Sequence, residues 1–101
     1  MNIEFLAPAE TEFVDAVAYY NMQSEGLGYE FASEVKRTIE RIIQYPEAWH
    51  NLSKRTHRCR TNRFPYGVVY QVRDETLLIV GVMHLSRNPQ TWKSRLKKEE
   101  I

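Results

Sequence analysis

The chain has 101 residues, which suits a single domain, and its 43% hydrophobic and 12% aromatic residues are enough to form a core. With 4 glycines, 4 prolines and a formal net charge of +1, the composition excludes an intrinsically disordered chain. We expect neither a membrane-spanning nor an exported protein, because no apolar stretch approaches the ~20 residues that cross a bilayer and the N-terminus carries no signal-peptide pattern.

The N-terminal half predicts a strand and a helical hairpin. Asn2–Leu6 is a short apolar segment, and Pro8 suits the first turn of a helix that runs to about Ser24. A second helix starts near Leu27, has apolar residues at three- and four-residue steps, and ends before Pro46. Two glycines between the helices allow the chain to reverse.

The C-terminal half predicts a loop and three strands. The loop spans Glu47–Thr56, and Trp49 is expected to anchor it to the core. Alternating and β-branched residues predict strands over His57–Asn62, Phe64–Arg73 and Thr76–Leu85. With the N-terminal strand they form a four-stranded, mainly antiparallel sheet that carries both helices on one face, so the predicted class is α+β.

Two further segments complete this prediction. Leu77–Val80 is apolar at every position, as expected of a central strand covered on both faces. Thr91–Lys98 is short and polar, and we expect one or two turns of helix there.

The small net charge hides an asymmetry between the two halves of the chain. Residues 1–50 contain nine acidic and three basic side chains, a net charge of −6, whereas residues 51–101 contain eleven basic and four acidic ones, a net charge of +7. If the fold keeps the halves on different faces, the basic face attracts phosphates or an acidic partner. The alternative is an uneven but ordinary distribution of surface charge.

Cysteine usage excludes several kinds of site. Cys59 is the only cysteine, so an internal disulfide is impossible and we expect a protein of the reducing cytoplasm. His57 and Cys59 share one strand face, but two metal ligands without a third and fourth do not make a zinc site. The chain has no glycine-rich phosphate loop either, so the sequence predicts neither a metal nor a cofactor.

A set of residues spread over nearly the whole chain accompanies this order of elements. They are Tyr19-Tyr20, Gly26-Leu27-Gly28 with Phe31, Ile42 to Pro46, Arg63-Phe64-Pro65-Tyr66 with Tyr70, and His84-Leu85-Ser86-Arg87-Asn88-Pro89 with Trp92. In their order and spacing they resemble the RelE/ParE superfamily of toxins, specifically its ParE-like plasmid-stabilisation branch.

The resemblance implies one toxin domain over residues 1–101 and a cognate antitoxin that neutralises it in a hetero-oligomer. It leaves the target open. ParE-like toxins are associated with poisoning DNA gyrase, whereas RelE-like toxins cut messenger RNA on the ribosome. A folded but inactive relic that still binds antitoxin is the third alternative.

Basic side chains form the first candidate site. Arg58 and Arg60 are two residues apart and share a strand face, and Lys54 and Arg55 lie just before them. Their patch is expected to bind a phosphate backbone or an acidic antitoxin segment. The structural alternative is a strand edge protected from aggregation by its charge.

The second candidate site concerns catalysis. His84 and Arg87 follow the most apolar strand, and together with Arg63 they offer a base and two cations for RNA cleavage. The alternative is that His84 and Arg87 hold the strand end and the tail together by hydrogen bonds.

The tail aromatic residue separates the two toxin mechanisms. The superfamily's nucleases tend to carry a tyrosine in the tail, where this chain has Trp92. Because indole has no titratable group, this difference favours a binding toxin. Arg87 and Trp92 remain candidates for target binding, although for Trp92 packing against Tyr66 or Tyr70 is favoured over a platform for base stacking.

Overall fold

The computed structural model describes residues 1–88 and 90–101, so Pro89, the last residue of the His84–Pro89 pattern, lies outside the described residues. The elements are, in chain order, β1 (Asn2–Phe5), α1 (Ala7–Gln23), α2 (Leu27–Gln44), β2 (His50–Asn51), β3 (His57–Arg60), β4 (Tyr66–Arg73) and β5 (Thr76–His84). Two short 3-10 helices, Thr91–Arg95 and Lys98–Glu100, form the tail.

Glycine residues determine the sharp reversal between the two helices. Gly26 has a φ of 83°, in the left-handed region that glycine adopts without strain. A Cβ at Gly28 would lie 2.1 Å from the carbonyl oxygen of Val17, so only glycine lets the helices approach this closely. The Gly28 N–H also donates to Oδ1 of Asn21 at 2.7 Å. The predicted hairpin is therefore confirmed, and no helix in the described part of the chain is long and apolar enough to span a membrane.

The sheet has five strands in the order β1-β5-β4-β3-β2. β1 pairs parallel with β5, and the remaining pairs are antiparallel. The prediction of four strands was wrong, because β2 has only two residues and falls within the predicted loop. Two residues are too few to show alternation of polar and apolar side chains. β4 also begins at Tyr66 rather than Phe64, since Pro65 has no N–H for the ladder.

One core lies between the helices and the sheet. Phe31 of α2 is fully buried, and its ring centroid lies 5.2 Å from those of Tyr20 and Phe64 and 4.9 Å from that of Tyr66. Leu77 and Ile79 face this core. The aromatic cluster thus joins the helical hairpin to the entry of β4.

A second, smaller core covers the opposite face of the sheet. It contains Trp92 with strand residues that alternate with those of the first core, namely Val69, Leu78, Val80 and Met83. The tail residues Leu96 and Ile101 pack against it. The prediction that β5 is covered on both faces is consistent with this arrangement.

The location of Trp92 corrects one expectation. Its side chain is only 1% exposed and packs on the face opposite to Tyr66 and Tyr70, both of which lie on the helical side. An indole that is buried in this way presents no ring surface on which a base or a partner side chain can stack.

Replacing Trp92 with alanine tests this second core. We expect Trp92→Ala to lower the free energy of unfolding by about 3–5 kcal/mol, because it removes a large buried ring and leaves a cavity. Urea denaturation followed by far-UV circular dichroism measures the change. Met22→Ala is the matched control, since Met22 is 86% exposed and its loss should cost less than about 0.5 kcal/mol. Equal midpoints for the two variants would contradict the tail packing described above.

Candidate functional site

An open cleft of about 710 Å³ lies beside β2 and β3, and three arginines line it. We call it the cationic cleft. Its lining residues are Trp49, His50, Arg58, Arg60, Thr61, Asn62, Arg63, Phe64, Pro65 and Leu85. Three guanidinium groups and an imidazole are thus present without any carboxylate in the lining, and this composition favours an anionic ligand.

Strand geometry positions two of the three guanidinium groups. Arg58 and Arg60 alternate with Cys59, which is buried in the core on the helical side, so both arginines lie on the other face of the sheet. On the neighbouring strand, a Cβ at Gly67 would lie 2.8 Å from Cγ and Cδ of Arg58. The missing side chain at Gly67 is therefore what allows the Arg58 stem to lie across β4.

The pairing of these arginines differs. Arg63 donates to Oε1 of Glu30 at 2.9 Å, with both side chains about half exposed. For Arg58 and Arg60, by contrast, no carboxylate oxygen within residues 1–88 and 90–101 lies within 4.0 Å. Nε of Arg58 is buried, and no described residue accepts a hydrogen bond from it. The two strand arginines hence retain their charge for an external partner.

The structure separates the other members of the predicted basic patch from this cleft. Lys54 and Arg55 line a different pocket, with His57 and Val72. Arg55 also donates to the carbonyl oxygen of Glu99 in the tail at 3.4 Å. The four residues of the predicted patch therefore lie on two separate surfaces.

Arg87 belongs to a second cluster, which is centred on the carboxylate of Glu12. Arg87 donates to Oε2 of Glu12 at 2.8 Å, and Arg95 donates to Oε1 and Oε2 at 2.6 and 2.7 Å. The main-chain N–H of Val82 donates to Oε1 at 3.1 Å. The Glu12 and Arg95 side chains are 13% and 10% exposed, which makes this a largely buried ion-pair network.

The proposed nuclease residues are not assembled around one reaction centre. His84 and Arg87 line a pocket of about 300 Å³ that also contains Glu12 and Asp15, whereas Arg63 lines the cationic cleft. Glu12 already pairs with the Arg87 guanidinium that a phosphate in this pocket would need, and Asp15 adds a further carboxylate to the lining. Nδ1 of His84 also accepts a hydrogen bond from the N–H of Ser86 at 3.1 Å.

Tyr66 is the phenol nearest to His84, with ring centroids 5.3 Å apart in an edge-to-face arrangement. Burial, and then the neighbouring Tyr20, raise the pKa of the Tyr66 phenol. At neutral pH Tyr66 is consequently protonated and cannot serve as a base.

Cys59 is a core residue. Its side chain is 1% exposed, and burial raises the pKa of its thiol. The ring of His57 stacks on Tyr70 with centroids 5.3 Å apart. Both side chains are therefore used in packing on the helical side.

Sequence reasoning missed the roles of three residues. The prediction that Trp49 anchors the loop to the core is confirmed, but its place in the lining of the cleft was not predicted. Glu12 and Arg95 were not predicted to meet at all. They are separated by 83 residues, and no local pattern signals such a pair.

The comparison with known families decides the assignment. Residues 3–89 match the family described as the ParE toxin of the type II toxin-antitoxin system parDE. The chain belongs to the ParE toxin family. The resemblance inferred from the sequence is thereby confirmed. No curated protein matches the sequence.

A solved structure is similar to the toxin in fold. It is a chain of the chromosomal ParDE toxin-antitoxin system from P. aeruginosa, with a TM-score of 0.72 and 9% sequence identity. The match covers 83% of the toxin and 95% of that chain. At this identity, the likeness concerns the fold alone.

The Glu12 network generates a stability prediction. Glu12→Ala should lower the free energy of unfolding by about 3–5 kcal/mol, because it leaves the buried Arg95 guanidinium without its counter-ion. Arg87→Ala should cost at most about 1 kcal/mol, since the Arg87 side chain is 47% exposed and its pair is screened by solvent. Urea denaturation of both variants gives the comparison. A larger loss for Arg87→Ala than for Glu12→Ala would show that the network is not centred on Glu12.

Proposed function

We propose that this toxin acts in the cytoplasm, arrests growth by binding DNA gyrase, and is neutralised by an antitoxin encoded beside it. The gyrase target is inferred from the ParE-like pattern of the sequence. The observation that carries the choice of binding over cleavage is the separation of Arg63 from His84 and Arg87.

Charge pairing supports the same choice. A nuclease needs unpaired cations beside its base, to stabilise the negative charge of the transition state. In this toxin the Arg87 guanidinium is paired with Glu12 next to His84. Arg58 and Arg60, which pair with no carboxylate of the described residues, line the cationic cleft, where they are available to a target surface. Arg58 also lines, with His84 and Arg87, a space of only about 20 Å³, which has room for about one water molecule and not for a phosphate.

The helical hairpin offers a surface for the antitoxin. Large hydrophobic side chains remain exposed on it: Val14 at 56%, Tyr19 at 55%, Met22 at 86% and Tyr29 at 70%. Exposed apolar side chains that cluster on one surface are typical of protein interaction sites. We infer that an antitoxin segment covers the hairpin and buries about 800 Å² or more on each side, as stable complexes do.

Co-purification with the protein of the neighbouring reading frame tests this interface. The double variant Val14→Glu/Met22→Glu should lose the complex at micromolar concentration, because it places two charges in an apolar contact. Both side chains are exposed, so the fold should persist by circular dichroism. Val72→Glu, at an exposed apolar position on β4, is the matched control and should retain the complex. Retention by the double variant would place the antitoxin elsewhere.

Induction in cells tests the target. If the toxin binds gyrase, no proton transfer is required, and His84→Gln should retain growth arrest, DNA breaks and filamentation. If it is a ribosome-dependent endoribonuclease, His84→Gln should slow cleavage by about 10²-fold or more. Primer extension on a translated message distinguishes the two, since codon-linked cuts within minutes of induction would contradict the gyrase proposal. Unimpaired growth at equal expression would instead indicate an inactive relic.

A further inference from the structure

We propose that the cationic cleft binds the phosphodiester backbone of a single-stranded nucleic acid through the guanidinium groups of Arg58, Arg60 and Arg63. The inference goes beyond the proposed function, because it gives these arginines a nucleic-acid ligand in addition to a protein target. Its readout is direct binding, which does not depend on toxicity.

The chemistry of the lining points to a polyanion. Arg58, Arg60 and Arg63 carry fork-shaped donors that match phosphate oxygens in pairs, and no acidic residue of the described chain lines the cleft. Arg63 already donates through Nη1 to Glu30, so Arg58 and Arg60 contribute the larger share of the uncompensated charge. Repeated cations along one groove are what a phosphate backbone requires, because each phosphate carries one negative charge.

Two buried donors add to this argument. Nε of Arg58 and Nε1 of Trp49 are both inaccessible to solvent, and neither has a hydrogen-bond partner among the described residues. A buried N–H without an acceptor costs free energy. Both side chains line the cleft. We infer that they turn toward a bound anion, whose oxygens then accept from these N–H groups.

The strand order disfavours an acidic peptide as the ligand. An extended peptide usually binds by adding main-chain hydrogen bonds to a free sheet edge. Here β3 is paired with β4 along its whole length and with β2 at His57 and Arg58, so the edge beside the cleft is short: Cys59, Arg60 and the two residues of β2. The adjoining Pro65 has no N–H to offer. We infer that recognition relies on side chains, which is how proteins bind phosphate backbones.

The size of the cleft favours one strand over a duplex. Its volume of about 710 Å³ lies within the range of pockets that enclose small ligands, roughly 300–1,000 Å³. We infer that a short stretch of one strand fits a cleft of that size better than a duplex does.

Gly67 acts as a positioning residue for this site. Because a Cβ there would collide with the Arg58 stem at 2.8 Å, Gly67→Ala should displace the Arg58 guanidinium without changing any charge. This variant therefore separates a defined site from general electrostatic attraction.

Fluorescence anisotropy with labelled oligonucleotides of about ten nucleotides tests the inference. The probes are single-stranded DNA, RNA of the same sequence, and the DNA duplex, each at about 50 mM and about 200 mM salt. Full-length toxin from cell-free synthesis is compared with Arg58→Gln/Arg60→Gln, with Gly67→Ala, and with the control Lys36→Gln/Arg37→Gln. The control also removes two positive charges, but from exposed positions on α2.

We expect Arg58→Gln/Arg60→Gln to weaken single-strand binding by about tenfold or more and to reduce the salt slope by about 1.4, the value for two lost phosphate contacts. Gly67→Ala should weaken binding severalfold, and the control should match the parent toxin. Binding of DNA, of RNA or of both supports the inference and identifies the source of the phosphodiester.

Four outcomes would overturn it: no binding at the lower salt, equal loss in the control, tighter binding of the duplex, or displacement of the strand by a poly-glutamate peptide of equal charge. Growth arrest is measured separately on the same variants. If the toxin does not bind nucleic acid but still causes gyrase-linked growth arrest, this inference is rejected and the proposed function stands. If the toxin binds nucleic acid but cuts messages at codons, the proposed function is rejected and this inference stands.

Discussion

The carboxylate of Glu12 joins helix α1, strand β5 and the C-terminal tail, and the rest of the structure depends on this connection. Glu12 lies on α1, yet it accepts hydrogen bonds from the Val82 main chain in β5 and from Arg95 in the tail. Arg95 also donates to the carbonyl oxygen of Val80, the extra residue where the register between β4 and β5 shifts. Helix, bulge and tail therefore satisfy one another's polar groups. Removing one member leaves the other groups buried without partners, which is why such networks are sensitive to single changes.

This network changes what the charge distribution along the chain means. The −6 and +7 halves suggested a basic face for a partner, but much of that charge is neutralised within the toxin. Glu12 from the acidic half pairs with Arg87 and Arg95 from the basic half, and Glu30 pairs with Arg63 in the same way. The positive charge that remains for an external ligand is therefore smaller than the composition implied. Part of it lies in the cationic cleft, where the strand arginines have a fixed spacing and so a geometry that diffuse surface charge lacks.

Local sequence patterns predicted the helices and strands better than they predicted which face of the sheet a side chain covers. Helical periodicity gave both helices, and the continuous apolar run Leu77–Val80 gave a strand buried on both sides. Side chains alternate between the two faces of a strand only while its pairing register is regular, and the bulge at Val80 interrupts that register. The tail carries too few apolar residues to show a period, so nothing in its sequence indicated that Trp92 covers the face opposite to Tyr66. Contacts across 83 residues, such as Glu12 with Arg95, follow from the assembled fold alone.

The second core also contacts a residue of the cationic cleft. Arg58 and Leu85 line the cationic cleft on one side, and on the other they line a space of only about 20 Å³ together with Met83 and Trp92. So little free volume means that the Arg58 side chain is packed against the second core on this side, and its Cγ and Cδ also lie against Gly67. A long side chain held along its stem loses less conformational entropy when it binds a ligand. The tail that closes the second core therefore also orders the arginine at the centre of the cleft. Through Arg95, the same tail depends on Glu12.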